Sequence, residues 1–408
     1  MKVLMISPGF PEDLKLFTRG LAQVGAQVLG IGDQHESGLD PQVAEALSAY
    51  LQVTELWNEE RTVGEVAHWL AQHRVEVDRV ECLWEPGVVL AAKLRERLGV
   101  PGISVQQAIA FRDKETMKSV LDAAGIRTPH HYRATDSGQV RAAVEKIGYP
   151  VILKPIAGAG SADTYTARSD EELERVLAAT RHVPEVSVEE YIEGEEYTCD
   201  TICARGRVLF ENVAWYRPKP LIMRLNPWIS PQAICLRDIE TPEIACGVAL
   251  GRRVLTALGF ESGMTHMEWF RKPDGEAVFG EIGARAPGGR LTHGMNFSCD
   301  IDLFSGWAEA ITRGTLSQDT RKKYNAAVIF KRATGAGARI ARIEGFERLL
   351  AEWGECVPLI DMVPVGAPRR DWSQVVTGDG WIVGRHPDLD TALHLADRLS
   401  NEIRVIAG

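Results

Sequence analysis

Apolar residues recur with two different periods along this chain, and the switches between them mark its elements. Val3–Ser7 is an apolar run opening on Pro8-Gly9, as a buried strand does. Leu14–Val24 has helical spacing and stops at Gly25, and Gln27–Ile31 is a strand-like run again. Arg79–Trp84 reads as a strand, Glu85-Pro86-Gly87 as a turn, and Val88–Leu98 as a helix ended by Gly99. Strands alternating with helices predict a parallel, doubly wound α/β sheet over residues 1–110.

The pattern changes near Phe111. Over 111–190 it predicts helices at Asp113–Ala124, Gln139–Lys146 and Glu171–Thr180 and strands at Val151–Lys154 and Val186–Tyr191, with a Gly/Ala/Ser loop at Pro155–Asp163. The next unit, 191–320, starts with a hairpin, Tyr197–Ala204 and Val208–Trp215 around Arg205-Gly206-Arg207. A Pro-rich stretch, 217–235, is expected to be irregular, and a helix, Glu243–Leu258, leads to a second hairpin. Residues 321–408 read as a small α+β piece. Its strands are Ala326–Lys331, Gly337–Ile343 and Gly380–Arg385, and its helices Phe346–Glu352 and Leu389–Glu402.

The second hairpin carries the first hint of chemistry. Two apolar runs between Gly263 and Arg285 flank Pro273-Asp274-Gly275. With Asp274-Gly275 as a two-residue loop, Glu268 and Glu281 face each other. Like charges so placed destabilise a ladder by up to about 1 kcal/mol. A cation between them removes the problem, and Mg²⁺, which also takes phosphate oxygens, suits two carboxylates. A longer loop bulged at Gly275 would slip the register by one and put the acids on opposite faces, leaving an ordinary exposed hairpin.

Composition narrows the field. The 408 residues exceed one ordinary core, and 45% apolar with 25% charged residues is a globular balance. A net charge of −10 argues against a general nucleic-acid binder but leaves room for a local basic pocket. The seven cysteines, at 82, 199, 203, 235, 246, 299 and 356, have neither C-x-x-C nor zinc spacing, which suits free thiols. The start, with Lys2 and an apolar strand, is unlike a signal peptide, and no apolar run reaches the ~18 residues of a membrane span. The expectation is a soluble, cytoplasmic protein with no membrane or nucleic-acid partner. The first turn lacks G-x-G-x-x-G, which argues against a dinucleotide site, and no Walker A or G-x-S-x-G motif is present.

Several further residues suit a nucleotide. Lys154 ends a strand at Ala157-Gly158-Ala159-Gly160-Ser161, a loop small enough to bring backbone N–H groups to phosphates, or else a plain turn. The run from Glu189 to Tyr197, E-E-Y-I-E-G-E-E-Y, offers carboxylates for vicinal ribose hydroxyls, or else a solvated acidic turn. Arg285, four residues after Glu281, can stabilise transferring phosphoryl charge or sit on the surface. His266 shares a face with Glu268 and can contact substrate, act as a base, or pack. Glu85 lies at the carboxyl end of a strand, where open α/β sheets bind ligands, or it starts a helix. Gly288-Gly289 permits close approach of a ligand, and Trp215, Tyr216, Trp228, Arg290 and His293 are weaker substrate candidates.

Taken in order, Lys114, V-I-L-K-P with Lys154, the Gly/Ala loop, E-E-Y-I-E-G-E-E-Y, the carboxylate hairpin and Arg285 resemble the ATP-grasp superfamily of ligases over about residues 1–320. The tail resembles the C-terminal piece of carboxylase-type and amino-acid-ligase members. The resemblance implies an ATP-grasp fold: a Rossmann-like unit (1–110), a lid (111–190), a central antiparallel sheet (191–320) and a C-terminal α+β piece (321–408). It implies that Lys114 and Lys154 bind phosphates, that Gly158, Gly160 and Ser161 belong to a closing loop, and that Glu189 and the backbone of Glu190 and Ile192 hold adenine. Glu196 would bind ribose, Glu268 and Glu281 magnesium or manganese, and Arg285 an acyl phosphate. Gly283 departs from the pattern, since many members have Asn there as a further ligand for a second magnesium. The implied activity is ATP-dependent joining of a carboxylate to an amine, with amino acids as substrates, in a homodimer. Alternatives are a bicarbonate-activating enzyme, for which the chain lacks an A-M-K-M biotinyl motif, and an ATP sensor with a decayed site.

Overall fold

The computed structural model describes residues 1–158, 162–372, 375 and 377–408. The candidates Gly160 and Ser161, with Ala159, lie outside the described residues.

The first unit is a four-stranded, wholly parallel sheet in the order Leu47–Gln52, Gln27–Gly32, Lys2–Ile6, Arg79–Glu81. The apolar run Val3–Ile6 is completely buried, as a strand covered on both faces must be. The last strand is shorter than its apolar run predicts. Glu85–Gly87 forms a 3-10 turn that feeds the helix Val88–Leu98. The strand Leu47–Gln52 was not legible from periodicity, because only half-buried and exposed residues build it.

An antiparallel sheet follows, in the order His131–Ala134, Val186–Glu190, Val151–Pro155, Tyr165–Ala167. The helices Ser137–Ile147 and Asp170–Ala179 bury Val140, Val144, Leu173 and Val176 against it.

The largest sheet has nine strands. Its main path runs Ala277–Gly283, Gly263–Arg271, Glu195–Ala204, Ala214–Arg217, Gln232–Cys235, Asn325–Lys331, Gly380–His386, Leu359–Met362, and Arg207–Asn212 pairs beside Glu195–Ala204. Strands beyond residue 321 therefore continue the central sheet. Gly337–Ile343 is displaced from its predicted place: the strand is Ile340–Glu344, paired with Arg404–Ala407 outside the main sheet. The stretch 217–235 is not irregular throughout, since it holds the helix Pro220–Leu225 and the strand Gln232–Cys235. The predicted strand Val208–Trp215 breaks at Val213, after which Ala214–Arg217 turns to pair with Gln232–Cys235.

Helices cover both faces of this sheet. Pro242–Ala257 and Leu389–Glu402 pack on the side of Tyr197, Trp269 and Ile329. Gly247 in the first of these helices leaves room for the buried Trp269 indole: a Cβ there would come within 2.0 Å of the ring. Leu291–Cys299 and Leu303–Arg313 cover the other side, where Phe17 of the first unit meets Phe304 and Trp307 edge-on. No helix among the described residues is long and apolar enough to cross a membrane.

Candidate active site

The carboxylate hairpin reaches its register by a route the sequence did not reveal. Lys272 N–H donates to Glu276 O and Gly275 N–H to Lys272 O, each at 2.9 Å. Pro273, Asp274 and Gly275 thus form a three-residue loop, with Gly275 at φ +89°. Arg271, Phe270 and Trp269 pair with Ala277, Val278 and Phe279, one residue away from the expected register. A bulge then passes over Gly280, so that Glu268 pairs with Glu281 and His266 with Gly283. A Cβ on Gly280 would sit 2.9 Å from Glu268 O, so the bulge needs glycine. The slip and the bulge cancel, and the two acids face each other.

Alternation along the neighbouring strand Glu195–Ala204 adds Glu196, Thr198 and Asp200 to the same face, opposite Phe270, Glu268 and His266. Asp200 is completely buried and takes a 2.6 Å hydrogen bond with His266 Nδ1. Thr198 and Asn212 donate to its other oxygen at 2.8 and 3.1 Å. Burial alone would lower the pKa of His266, but Asp200 outweighs it and raises the ring to about 9. His266 Nε2 lies 3.6 Å from Glu268 Oε1. Burial, then the Glu268 charge, push the Glu196 carboxyl up to about 8, with Lys219 and Lys154 pulling the other way.

Three lysines come from the second unit. Lys114 opens the helix Lys114–Ala123, whose N-cap Asp113 accepts from the N–H groups of Glu115 and Thr116. Its Nζ is 3.1 Å from Glu281 Oε1 and donates to Gly158 O at 3.2 Å. Lys154 Nζ sits 3.0 Å from Glu189 Oε2 and 3.8 Å from Glu281 Oε2. Lys118, one turn after Lys114 and fully buried, reaches Glu189 Oε1 at 2.7 Å. Cations and carboxylates alternate in one chain: Lys118, Glu189, Lys154, Glu281, Lys114. Burial lowers the pKa of Lys118, yet pairing outweighs burial at Lys154, raised above the usual lysine value, and at Glu189 and Glu281, both held below the usual carboxylate range.

Lys114, Lys154, Glu189, Glu196, His266, Glu268 and Glu281 line a cleft of about 580 Å³, with Gly158, Glu190, Ile192, Gly283 and Arg285 in its wall and Pro220–Ile222 and Leu225 along one side. The Glu190 carboxylate is held by Arg127, 2.9 Å to each oxygen, and by His130 N–H at 3.1 Å.

Arg285 donates through Nε to the buried Glu85 carboxylate of the first unit, and Arg112 binds the same carboxylate. Burial raises the pKa of Glu85, but the two guanidiniums more than compensate and hold it low. Gly283 makes this approach possible: a Cβ there would lie 3.0 Å from Glu85 Oε2. Position 283 is thus faced by an acid from another unit.

The remaining candidates sit elsewhere. Trp215 pairs with Tyr197 and therefore belongs to the opposite face of the sheet, where it donates to Glu195 Oε2 at 3.0 Å. With Trp228 it lines a separate cavity of about 770 Å³ behind Lys219 and Ile222, beside the Arg217–Asp397 ion pair, whereas Tyr216, the next residue on the strand, turns to the face of Glu196 and Glu268, where burial first and then those charges push its phenol well above the usual value. That cavity lacks the facing acids, Lys114 and Lys154. Arg290 binds Glu12 and Asp13 of the first unit, and His293 lies against Phe304 and Trp381. Gly288 borders open space, and Gly289 (φ +59°) lies over Phe330. Sequence reading missed Lys118, Asp200 and Arg112. The first two had a signal, since Lys118 follows Lys114 by one helical turn and Asp200 shares the period of Glu196.

Among the described residues no cluster of three or more His, Cys, Asp or Glu side chains forms a metal cage. Two facing carboxylates beside a basic cleft fit Mg²⁺, which keeps waters and shares its coordination with phosphate oxygens.

The family model for the ATP-grasp domain matches residues 147–293, so the chain carries an ATP-grasp domain. Over its whole length it adopts the ATP-grasp fold. The crystal structure of an L-amino acid ligase from Bacillus licheniformis superimposes with a TM-score of 0.79 at 19% identity, covering 100% of this chain and 98% of that one. That of N5-carboxyaminoimidazole ribonucleotide synthetase from Thermotoga maritima gives 0.72 at 18% identity, covering 100% and 99%. Among curated proteins, the L-arginine-specific L-amino acid ligase of Bacillus subtilis is 26% identical over 234 residues, 56% of each chain. A D-alanine–D-alanine ligase of Clostridium beijerinckii is 34% identical over 109 residues, 26% of this chain and 36% of that one. The chain spans little more than half the length of the former and about a third of the latter.

Proposed function

We propose that this protein is an ATP-dependent carboxylate–amine ligase that joins amino acids through an acyl phosphate. The observation that carries the reading is the single cleft in which Glu268 faces Glu281, Lys114 and Lys154 grip Glu281, and Arg285 waits beside Glu85. The likenesses to L-amino acid and D-alanine–D-alanine ligases support the same chemistry.

In this reading Lys114 and Lys154 bind the nucleotide phosphates, and Glu196 accepts from the ribose hydroxyls once it has lost its proton. Glu268 and Glu281 would hold Mg²⁺ or Mn²⁺, whose charge screens the phosphate oxygens. A substrate carboxylate oxygen attacks the γ-phosphorus, the bond to the bridging oxygen breaks, and ADP leaves. Arg285 offsets the charge on the transferring group. An amine nitrogen then attacks the acyl carbon and loses a proton, and phosphate departs. Water must be kept from the acyl phosphate, a task suited to the loop after Lys154 and the segment Pro220–Leu225.

The test is phosphate release from ATP across pairs of amino acids, with mass spectrometry of the products. Amide products and ADP are expected. Glu281→Gln keeps the volume but removes a cation ligand, so ADP formation should fall at least a hundredfold while thermal unfolding stays cooperative. Turnover on bicarbonate without an amine, or none with any pair, overturns the reading.

A further inference from the structure

The cavity beside Trp215 takes no part in the ligase chemistry. Its volume of about 770 Å³ suits a small molecule. Charge sets it apart. The chain carries −10 overall, yet among the described residues Arg217, Lys219, Lys331, Arg332 and Arg404 border this cavity with two acids, Glu195 and Asp397. Both acids are engaged: Asp397 holds Arg217 at 3.2 Å, and Glu195 accepts from the Trp215 indole at 3.0 Å.

Arg332 is left without an acid. It is 9% exposed, and its Nε is buried with no hydrogen-bond partner. Its Nη1 donates to Met223 O at 2.9 Å, and its guanidinium lies 4.6 Å from the centre of the Trp372 ring. Lys331, one residue earlier and equally deep, donates to the carbonyls of Leu399 and Ser400 at 3.2 and 2.7 Å. Burial lowers the pKa of both cations, Lys331 to about 7, and no acid offsets it. A buried guanidinium needs a counter-charge, and this one borders a cavity through which a counter-charge can enter. The indoles of Trp215 and Trp228 and the side chain of Ile222 give the cavity apolar walls. One wall is shared. Lys219 and Ile222 border both this cavity and the cleft of the facing acids, and Met223, which takes Arg332, belongs to the same segment.

We infer that this cavity is a second ligand site, for a small molecule with a ring or other apolar body and a phosphate or carboxylate group, and that its occupant fastens Pro220–Leu225 and tightens nucleotide in the cleft. The oxyanion meets Arg332 on its Nε side together with the Lys219 ammonium, and the body lies along the indoles. A guanidinium edge matches two oxygens of either group. A ligand that joins Lys219 to Arg332 ties the segment to the C-terminal piece from behind, and nucleotide in turn strengthens the ligand by the same factor. The site rests on its own geometry, and the coupling rests on nucleotide binding in the cleft.

Isothermal titration of the intact protein with phenyl phosphate, benzoate and uncharged benzyl alcohol tests this, with the cleft first filled by Mg²⁺ and a non-hydrolysable ATP analogue. Phenyl phosphate or benzoate should bind at least tenfold more tightly than benzyl alcohol, and the tighter of the two names the group. Arg332→Gln should weaken that anion at least tenfold, and Lys154→Met should leave it unchanged. Lys219→Met, at a half-buried position, should also weaken it and carries the test should Arg332→Gln not fold. No binding of either anion, equal binding of benzyl alcohol, or binding that Lys154→Met weakens and Arg332→Gln does not, overturns the site. In the unaltered protein a saturating anion should tighten the ATP analogue at least threefold, and an unchanged analogue affinity overturns the coupling. If the anion binds through Arg332 but the analogue does not bind at all, the site holds and the nucleotide reading of the cleft falls.

Discussion

At the scale of single residues, burial and pairing decide which charges this protein can hold. Lys118 has no exposure and one carboxylate partner, Glu189, which it shares with Lys154. Replacing it with Met leaves Glu189 one cation, so Lys118→Met should lower the unfolding free energy by about 3 kcal/mol in denaturant titration and weaken ATP binding. His293 behaves differently. Burial, with Arg290 beside it, pushes its pKa down to about 4. An unfolded histidine protonates near pH 6.5. Between those values the unfolded chain holds one more proton than the folded one, so the folded state loses stability as pH falls from about 6.5 to 4. Melting temperatures of His293→Gln should fall less steeply than wild type across that window. The charged residues of the site were legible because charges interrupting apolar strands stand out, as Lys154, Glu268 and Glu281 do. Arg112 was not, because what marks it is a partner 27 positions away in sequence, and the strand period that puts Asp200 on the face of Glu196 does not show its bond to His266, 66 positions on.

At the scale of elements, two glycines carry the hairpin. Gly280 permits the bulge that returns Glu281 to its place opposite Glu268. Gly280→Ala should shift that register, reduce Mg-ATP affinity at least tenfold and lower the melting temperature, changes that isothermal titration and calorimetry can read. Gly247 does the opposite work, since its missing side chain makes room for Trp269 in the core. Gly247→Ala should cost about 1–3 kcal/mol by overpacking and leave nucleotide contacts in place. Periodicity located most strands and helices within a few residues. It failed at Leu47–Gln52, which buries little, and within 217–235, where prolines concealed a helix and a strand. Turn chemistry announced the hairpin, but no local signal shows that a three-residue loop and a later bulge offset one another.

At the scale of the whole molecule, the first unit is fastened to the central sheet around the site. Phe17 packs between Phe304 and Trp307, Glu85 takes Arg285, and Glu12 with Asp13 takes Arg290. Asp13→Asn combined with Glu12→Gln leaves a largely buried guanidinium without its acids. Hydrogen exchange should then speed up over residues 7–13 and 285–293 before any other region. The sequence showed alternating units but not that the last strands join the central sheet, because pairing between Gln232–Cys235 and Asn325–Lys331 spans some ninety positions and leaves no local trace.

The strand that carries Glu281 is also the rim of that sheet, and a bare rim invites a foreign strand to add itself. Arg127 closes it here, lending its carbonyl to Phe279 N–H at 3.1 Å while its guanidinium clasps Glu190 and reaches toward Glu276. Crowded copies of this protein are thereby denied the one border along which stacking would bury their own chemistry.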